Sequence, residues 1–315
     1  MENLTSASQN ATLMFSYKVD DFTRTVFLIT TMSCFTFFFY FIVIMLKVFF
    51  TTPHIQENPR YVLFVHMLIN DTLYIIFTNF MVVSFMHAVY FPMVVCFIIN
   101  TLTGCSFLVT PYNLALMSLE RYIAICFPLR HLQFCTPKKV KYAIAGVWII
   151  GSSLSFANFI MAMYFAERTS YSLNVVCDRQ KQKITPIQNV IRSLTNILSF
   201  TMVALIIIFT YINVMLVARR IGSGGSSALK AGKTVMLHAF QLILCMVAFI
   251  STVTEAYVKN YLYYLLVLNY VLFTCVPRFL SPLIYGVRDE VFQKHIRKYC
   301  TITHVCRPQR GLEKL

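Results

Sequence analysis

Charge is what this sequence has least of. Only 12% of its 315 residues are Asp, Glu, Lys or Arg, about half the share of an ordinary soluble domain. That scarcity excludes a water-soluble globular fold. The familiar catalytic signatures are missing as well. The chain has no GxGxxG, no phosphate-binding loop, no HExxH and no spaced Cys/His cluster. No internal repeat of the kind that marks many transporters occurs. Residues 1–22 lack an apolar core, so no cleavable signal peptide is expected and the first apolar run is expected to act as an anchor. His54, His66, His87, His131, His238, His295 and His304 are scattered. Loop or satisfied polar roles account for them better than metal binding or catalysis. No cofactor and no enzymatic activity are expected.

What is present is oil. Hydrophobic residues make up 58% of the chain, and its mean hydropathy is +0.67. Residues 32–50 carry a single charge, at Lys47, and residues 198–218 carry none. Runs near 20 residues match the roughly 30 Å hydrocarbon core of a bilayer. Backbone polar groups in lipid must be paired internally, so spans are helices or strands of a closed barrel. These runs are too long and too uniformly apolar for alternating barrel strands. Seven spans are predicted, over 23–50, 59–86, 92–126, 138–165, 187–221, 229–256 and 260–286. The expected fold is an all-α membrane protein, a seven-helix bundle over residues 23–286 between an outer segment, 1–22, and an inner tail, 287–315.

Basic residues orient the bundle. Arg60, Arg130, Lys138, Lys139, Lys141, Arg219, Arg220, Lys230, Lys233 and a basic tail fall on one side. The other side is poorer in them, so the amino terminus is expected outside the cell and the carboxyl terminus in the cytoplasm. The net charge of +15 then reads as topology plus attraction to anionic inner-leaflet lipid. Nucleic-acid binding does not fit, because the charges flank spans instead of forming one patch. Asn3 and Asn10 open glycosylation sequons in the outer segment. A third sequon, at Asn70, lies inside a span and is discounted.

The ten cysteines divide by side. Cys34, Cys105, Cys126, Cys245 and Cys275 lie in or at the ends of apolar spans as small hydrophobes, and Cys135 lies in a reducing inner loop. Cys96 and Cys177 form the well-placed pair on the oxidising side, and a disulfide between them is predicted. Cys300 and Cys306 follow a basic amphipathic stretch, where they are either palmitoylated or plain thiols.

Ionisable groups within spans default to functional sites. Here they are Asp71 in the second span, Glu120 and Arg121 at the inner end of the third, and Arg278 in the seventh. Asp71 and Arg278 lie at similar depth and are expected to pair. The alternative is that Arg278 snorkels to the inner interface.

At this point the residues resemble a family. Glu120-Arg121-Tyr122 at the inner end of the third span and Pro282-x-x-Tyr285 closing the seventh are similar to the rhodopsin-like G-protein-coupled receptors. The separation of Cys96 from Arg121, the lone Trp148, Asp71 and Tyr211 match that family's positions. LERYIAICFPLRH and SPLIYGVRDEVF resemble stretches of olfactory receptors, especially fish-type ones, the second running into a short eighth helix. Some features depart from the pattern. Ser281 replaces an asparagine, the first span reads Phe39-Tyr40, and the sixth span lacks Trp-x-Pro.

The resemblance implies roles. Glu120 would hold Arg121 while the receptor is off. Arg121, joined by Tyr211 and Tyr285, would then face the cavity that opens for a G protein. A bare interfacial anchor pair is the alternative. By the same counting, Thr103, Gly104, Phe107 and Leu108 on the third span would meet Thr195 and Ser199 on the fifth. Phe249 and Val253 on the sixth span and Val271 and Thr274 on the seventh would complete a mostly apolar pocket with scattered hydroxyls. Such walls suit a small organic molecule, although ordinary helix packing accounts for each residue equally. Thr103 stands where amine receptors place an aspartate. Arg192, Glu255 and Lys259 lie near the pocket mouth. The implied function is an odorant receptor in the plasma membrane, with a small-molecule odorant and a heterotrimeric G protein, of olfactory or stimulatory type, as partners. A non-olfactory receptor of the same class, for a small molecule or peptide, is the runner-up, and a membrane transporter is the remote alternative.

Overall fold

The computed structural model describes residues 21–165, 174–177, 186–221, 270–276, 278 and 279, together with Met236, Ala239, Phe240 and Ile243. In chain order its elements are α1 (Asp21–Thr51), α2 (Pro53–Gln56), α3 (Pro59–Met86), β1 (Tyr90–Pro92), α4 (Met93–Cys126), α5 (Pro128–Phe134), α6 (Pro137–Phe165), β2 (Asn174–Val176) and α7 (Pro186–Ile221). A π-helical turn, Tyr270–Cys275, belongs to the seventh span.

Proline writes the helix starts. α2, α3, α5, α6 and α7 each begin on one. At the first helical position the missing N–H is one no helix would use, and the fixed φ is already helical. Two polar caps reinforce these starts: the Arg60 N–H donates to Asn58 Oδ1 at 3.1 Å, and the Lys139 N–H donates to Thr136 Oγ1 at 3.3 Å. α1, α3, α4, α6 and α7 are long and apolar enough to cross a membrane. They correspond to the first five predicted spans within a residue or two. Most of the sixth and seventh spans lies outside the described residues.

Hydroxyls inside these helices are satisfied locally. Thr31, Thr72, Thr78, Ser84, Thr103 and Ser118 donate to the carbonyl four residues back, at 2.7–2.9 Å. A serine or threonine can therefore sit in lipid without a stranded donor.

α4 is the central post. It packs against α3, α6 and α7, and Leu114, Val109 and Met117 are buried on it. Its approach to α6 depends on small residues. A Cβ at Gly151 would lie 3.2 Å from Val109 Cγ2, and one at Gly104 would lie 3.2 Å from Ser155 Oγ. Small side chains allow such close crossings where lipid gives little hydrophobic drive between helices. The outward faces of α1, α6 and α7 show Phe22, Ile149, Ile160, Tyr164 and Leu198, as surfaces facing acyl chains should.

Three features were not anticipated. The junction of the first two spans holds the short helix α2. The loop after α4 is the helix α5. On the opposite side, β1 pairs antiparallel with β2, Tyr90 opposite Val176.

Candidate functional site

The functional residues form three tiers along α4. At one end, Cys96 and Cys177 are bonded with their Cα atoms 5.2 Å apart. The bond sits beside the β1–β2 pair, so strand pairing and cross-link together pin the loop to the top of α4. At the other end of the same helix lie Glu120 and Arg121. The 1.5 Å rise per residue puts the two ends roughly 36 Å apart, about a bilayer's reach.

The middle tier is the most deeply buried. Asp71 is 0% exposed and Arg278 is 1%. Arg278 Nε lies 3.8 Å from Asp71 Oδ1, an ion pair too long for a direct hydrogen bond. The carboxylate has other support. Thr110 Oγ1 donates to Asp71 Oδ1 at 3.0 Å and accepts from Asn70 Nδ2 at 3.0 Å. The Asn70 amide also donates to the Ser106 carbonyl at 3.0 Å, so the discounted sequon asparagine is buried and occupied. Arg278 is held from two sides. Its Nη1 donates to the Thr274 carbonyl at 3.2 Å, and its guanidinium lies 3.7 Å above the centre of the Tyr74 ring. A cation over a desolvated ring gains about 2 kcal/mol. Asp71 Oδ2 is buried without a hydrogen-bond partner among the described residues.

At the C-terminal end of α4, Arg121 Nε lies 3.4 Å from Glu120 Oε2. The other carboxylate oxygen, Oε1, accepts from His131 Nε2 at 3.3 Å. Arg121 Nη2 is buried and has no hydrogen-bond partner among the described residues. Tyr122 is wedged edge-on between Phe127 and Phe209, with ring centres 5.7 and 5.6 Å away. Tyr211 is half-buried against the core. Next to this cluster, burial and the Glu120 charge push the Cys135 thiol up, against the opposing pull of Lys139. Pro282 and Tyr285 lie outside the described residues.

The predicted pocket residues do not all share one surface. Phe107 faces Tyr74 at 6.0 Å and Phe200 at 5.7 Å, so it looks into the bundle between α3 and α7. Thr103 is buried near Met81, with its hydroxyl turned back to Ile99. Gly104 and Leu108 instead lie on the α4–α6 seam, against Ser155 and Gly151. Ser199 is engaged, since Tyr112 Oη donates to its Oγ at 2.9 Å. Thr195 is half-buried on α7. Val271 and Thr274 lie within the π turn, where the Thr274 carbonyl serves Arg278. Above them Tyr270 Oη donates to Asn79 Oδ1, and its ring meets Phe27 edge-on. Phe249, Val253, Asn3, Asn10, Cys300 and Cys306 lie outside the described residues.

Sequence reasoning missed two histidines. Trp148 Nε1 donates to His66 Nε2 at 2.7 Å. An indole only donates, so the His66 proton sits on Nδ1 and donates to Asn113 Oδ1 at 3.2 Å. The Asn113 amide then donates to the Leu63 carbonyl at 3.1 Å, and the chain ties α6, α3 and α4 together. His131 is the second. Nothing local in the sequence marks either partner; the lone Trp148 was the one available signal.

Comparison with known proteins agrees with this arrangement. The family model described as "7 transmembrane receptor (rhodopsin family)" matches residues 43–285. Odorant receptor 131-2 of Danio rerio is 28% identical over 261 residues, covering 81% of this chain and 80% of that protein. Olfactory receptor 51E1 of Homo sapiens is 29% identical, covering 67% of each. Histamine H2 receptor of Cavia porcellus is 27% identical over 42% of this chain and 39% of its own length. With the match running from residue 43, within α1, to residue 285, the chain belongs to the rhodopsin family of seven-transmembrane receptors, multi-pass membrane proteins that signal rather than catalyse.

Proposed function

We propose that this receptor is of the olfactory type, binds a small organic odorant in the outer half of its bundle, and activates a heterotrimeric G protein at its cytoplasmic face. The observation that carries the reading is the Glu120–Arg121 pair at the inner end of α4, with Arg121 Nη2 buried and without a partner among the described residues. A guanidinium so placed can exchange its carboxylate for carbonyls of an entering helix. Ligand acts by binding the open form more tightly, because equal affinity for both forms shifts nothing. Leu129, 93% exposed on α5, offers the G protein an apolar contact beside Arg121.

The odorant is proposed to rest on Phe107 and Thr103, with Thr195, Phe249, Val253, Val271 and Thr274 around it. Gly104, Leu108 and Ser199 serve packing in this structure. Likeness to the two odorant-type relatives supports the ligand class. Likeness to the histamine receptor supports the second reading, a non-olfactory receptor, although no acid stands at Thr103 to pair with an amine. In this reading residues 1–22 are extracellular with glycans on Asn3 and Asn10. Residues 23–286 form the bundle, with Asp71 and Arg278 joining two of its helices. Residues 287–315 are cytoplasmic, begin with a short eighth helix, and carry acyl chains on Cys300 and Cys306.

The test is a panel of amino acids, carboxylic acids, neutral odorants and histamine, applied to cells expressing the receptor with a stimulatory G protein. A rise in cyclic AMP to odorants supports the reading. A response to histamine alone overturns it in favour of the second.

A further inference from the structure

We propose that the Arg278 guanidinium is a built-in cation at Asp71, which leaves the receptor indifferent to sodium, and that its removal uncovers a sodium site made by Asp71, Asn70 and Thr110. The proposal stands on the middle tier alone and depends on neither the odorant nor the G protein.

Without Arg278, the oxygens around Asp71 have the character of a hard-cation site. Small hard cations are held by carboxylate, carbonyl and hydroxyl oxygens. Asp71 offers a carboxylate that is fully buried. Thr110 Oγ1 lies 3.0 Å from Asp71 Oδ1 and 3.0 Å from Asn70 Nδ2, so one hydroxyl gathers both side chains. Asp71 Oδ2 and Asn70 Oδ1 are buried and accept no hydrogen bond among the described residues. Two acceptors left over beside one carboxylate mark a place that calls for positive charge.

Arg278 brings that charge from the seventh span and holds it in place. Its Nε stands 3.8 Å from Asp71 Oδ1. Its Nη1 donates to the Thr274 carbonyl, one turn back along its own span. Its guanidinium lies 3.7 Å from the centre of the Tyr74 ring. Tyr74 follows Asp71 by three residues on α3, so ring and carboxylate share one face and attract the same cation. An arginine keeps its proton under all working conditions, so Asp71 is neutralised by a charge that cannot diffuse away. A second cation would place an uncompensated positive charge a few ångströms from the guanidinium, in an interior that screens it poorly. Occupancy by a free ion rises and falls with its concentration; a tethered cation is present at every salt level. The charge balance between α3 and the seventh span is therefore the same in salt-rich and salt-poor surroundings.

The test uses full-length receptor in nanodiscs as wild type, as Arg278→Met, and as Asp71→Asn combined with Arg278→Met. Each is unfolded by heat in sodium chloride and in N-methylglucamine chloride of equal ionic strength. The wild type is expected to unfold at one midpoint in both salts. Arg278→Met is expected to unfold lower and to regain roughly 2–4 °C in sodium chloride, the scale of one site filled to several times its dissociation constant. The double variant, which lacks the carboxylate, is expected to lose that gain. A sodium-dependent midpoint in the wild type overturns the built-in cation. A midpoint of Arg278→Met that ignores sodium, or a sodium gain that survives Asp71→Asn, overturns the uncovered site. Should Arg278→Met not yield folded receptor, Arg278→Gln, neutral but still polar, takes its place, and the wild-type comparison stands whichever variant folds.

Discussion

Two charged pairs in this receptor are built to opposite specifications. Asp71 and Arg278 are both at the limit of burial, on different spans, and sit 3.8 Å apart with a tyrosine ring and a threonine hydroxyl completing their surroundings. Glu120 and Arg121 are neighbours on one helix at its rim, and their contact is completed by a histidine from a seven-residue helix. The first pair cannot separate without leaving a bare charge in a low-dielectric interior. The second lies at the end of its helix with Arg121 partly exposed, where a broken pair finds solvent or a partner. On the proposed function, this difference in depth suits the first pair to act as a tether and the second as a switch.

The largest effect should come from breaking the tether. Asp71→Ala or Arg278→Ala should each cost about 3–5 kcal/mol, the usual consequence of orphaning a buried charge. Either variant should be largely lost from the cell surface. Exchanging the two, Asp71→Arg with Arg278→Asp, should recover part of that loss in a surface-expression assay. Arg278 would be shown to snorkel independently if the exchange recovers nothing.

The next effect separates the two ends of α4. Cys96→Ser or Cys177→Ser should lower the melting midpoint in detergent, by a loss of about 2–5 kcal/mol. The inner cluster, roughly a bilayer away, should be untouched. Peptide mapping without reductant should recover Cys96 joined to Cys177 from wild-type protein. Two free thiols there would remove the link from the account.

A smaller effect sharpens the contrast between neutral and charged networks. Trp148→Phe removes the donor to His66 Nε2 and leaves a half-buried acceptor open. The expected cost is about 1–3 kcal/mol, read as a lower melting midpoint with signalling by the surviving receptor unchanged. A signalling defect at full stability would make the Trp148–His66–Asn113 chain part of the switch and not of the scaffold.

Much of this architecture is legible in the sequence. The five described spans were legible to within a residue or two, since apolar runs of bilayer length and prolines at helix starts are both local signals. The Asp71–Arg278 juxtaposition was legible because intramembrane charges are scarce and depth can be counted from the helix ends. The three-residue strands and the helices Pro53–Gln56 and Pro128–Phe134 were not, being too short to carry a period. Nor were His66 and His131, whose partners are set by how neighbouring helices rotate about their axes. The same rotation put Gly104 and Leu108 against α6 although they share a stretch of sequence with Phe107. A one-dimensional count gives height along a helix well and azimuth poorly.

The central claim is that the inner end of α4 is the output of a receptor. It is tested most directly by Arg121→Ala, measured as cyclic AMP evoked by an odorant panel that activates the wild type, with surface levels matched by cell-surface labelling. The account predicts that the variant reaches the membrane and stays silent. A response as large as that of the wild type would contradict it.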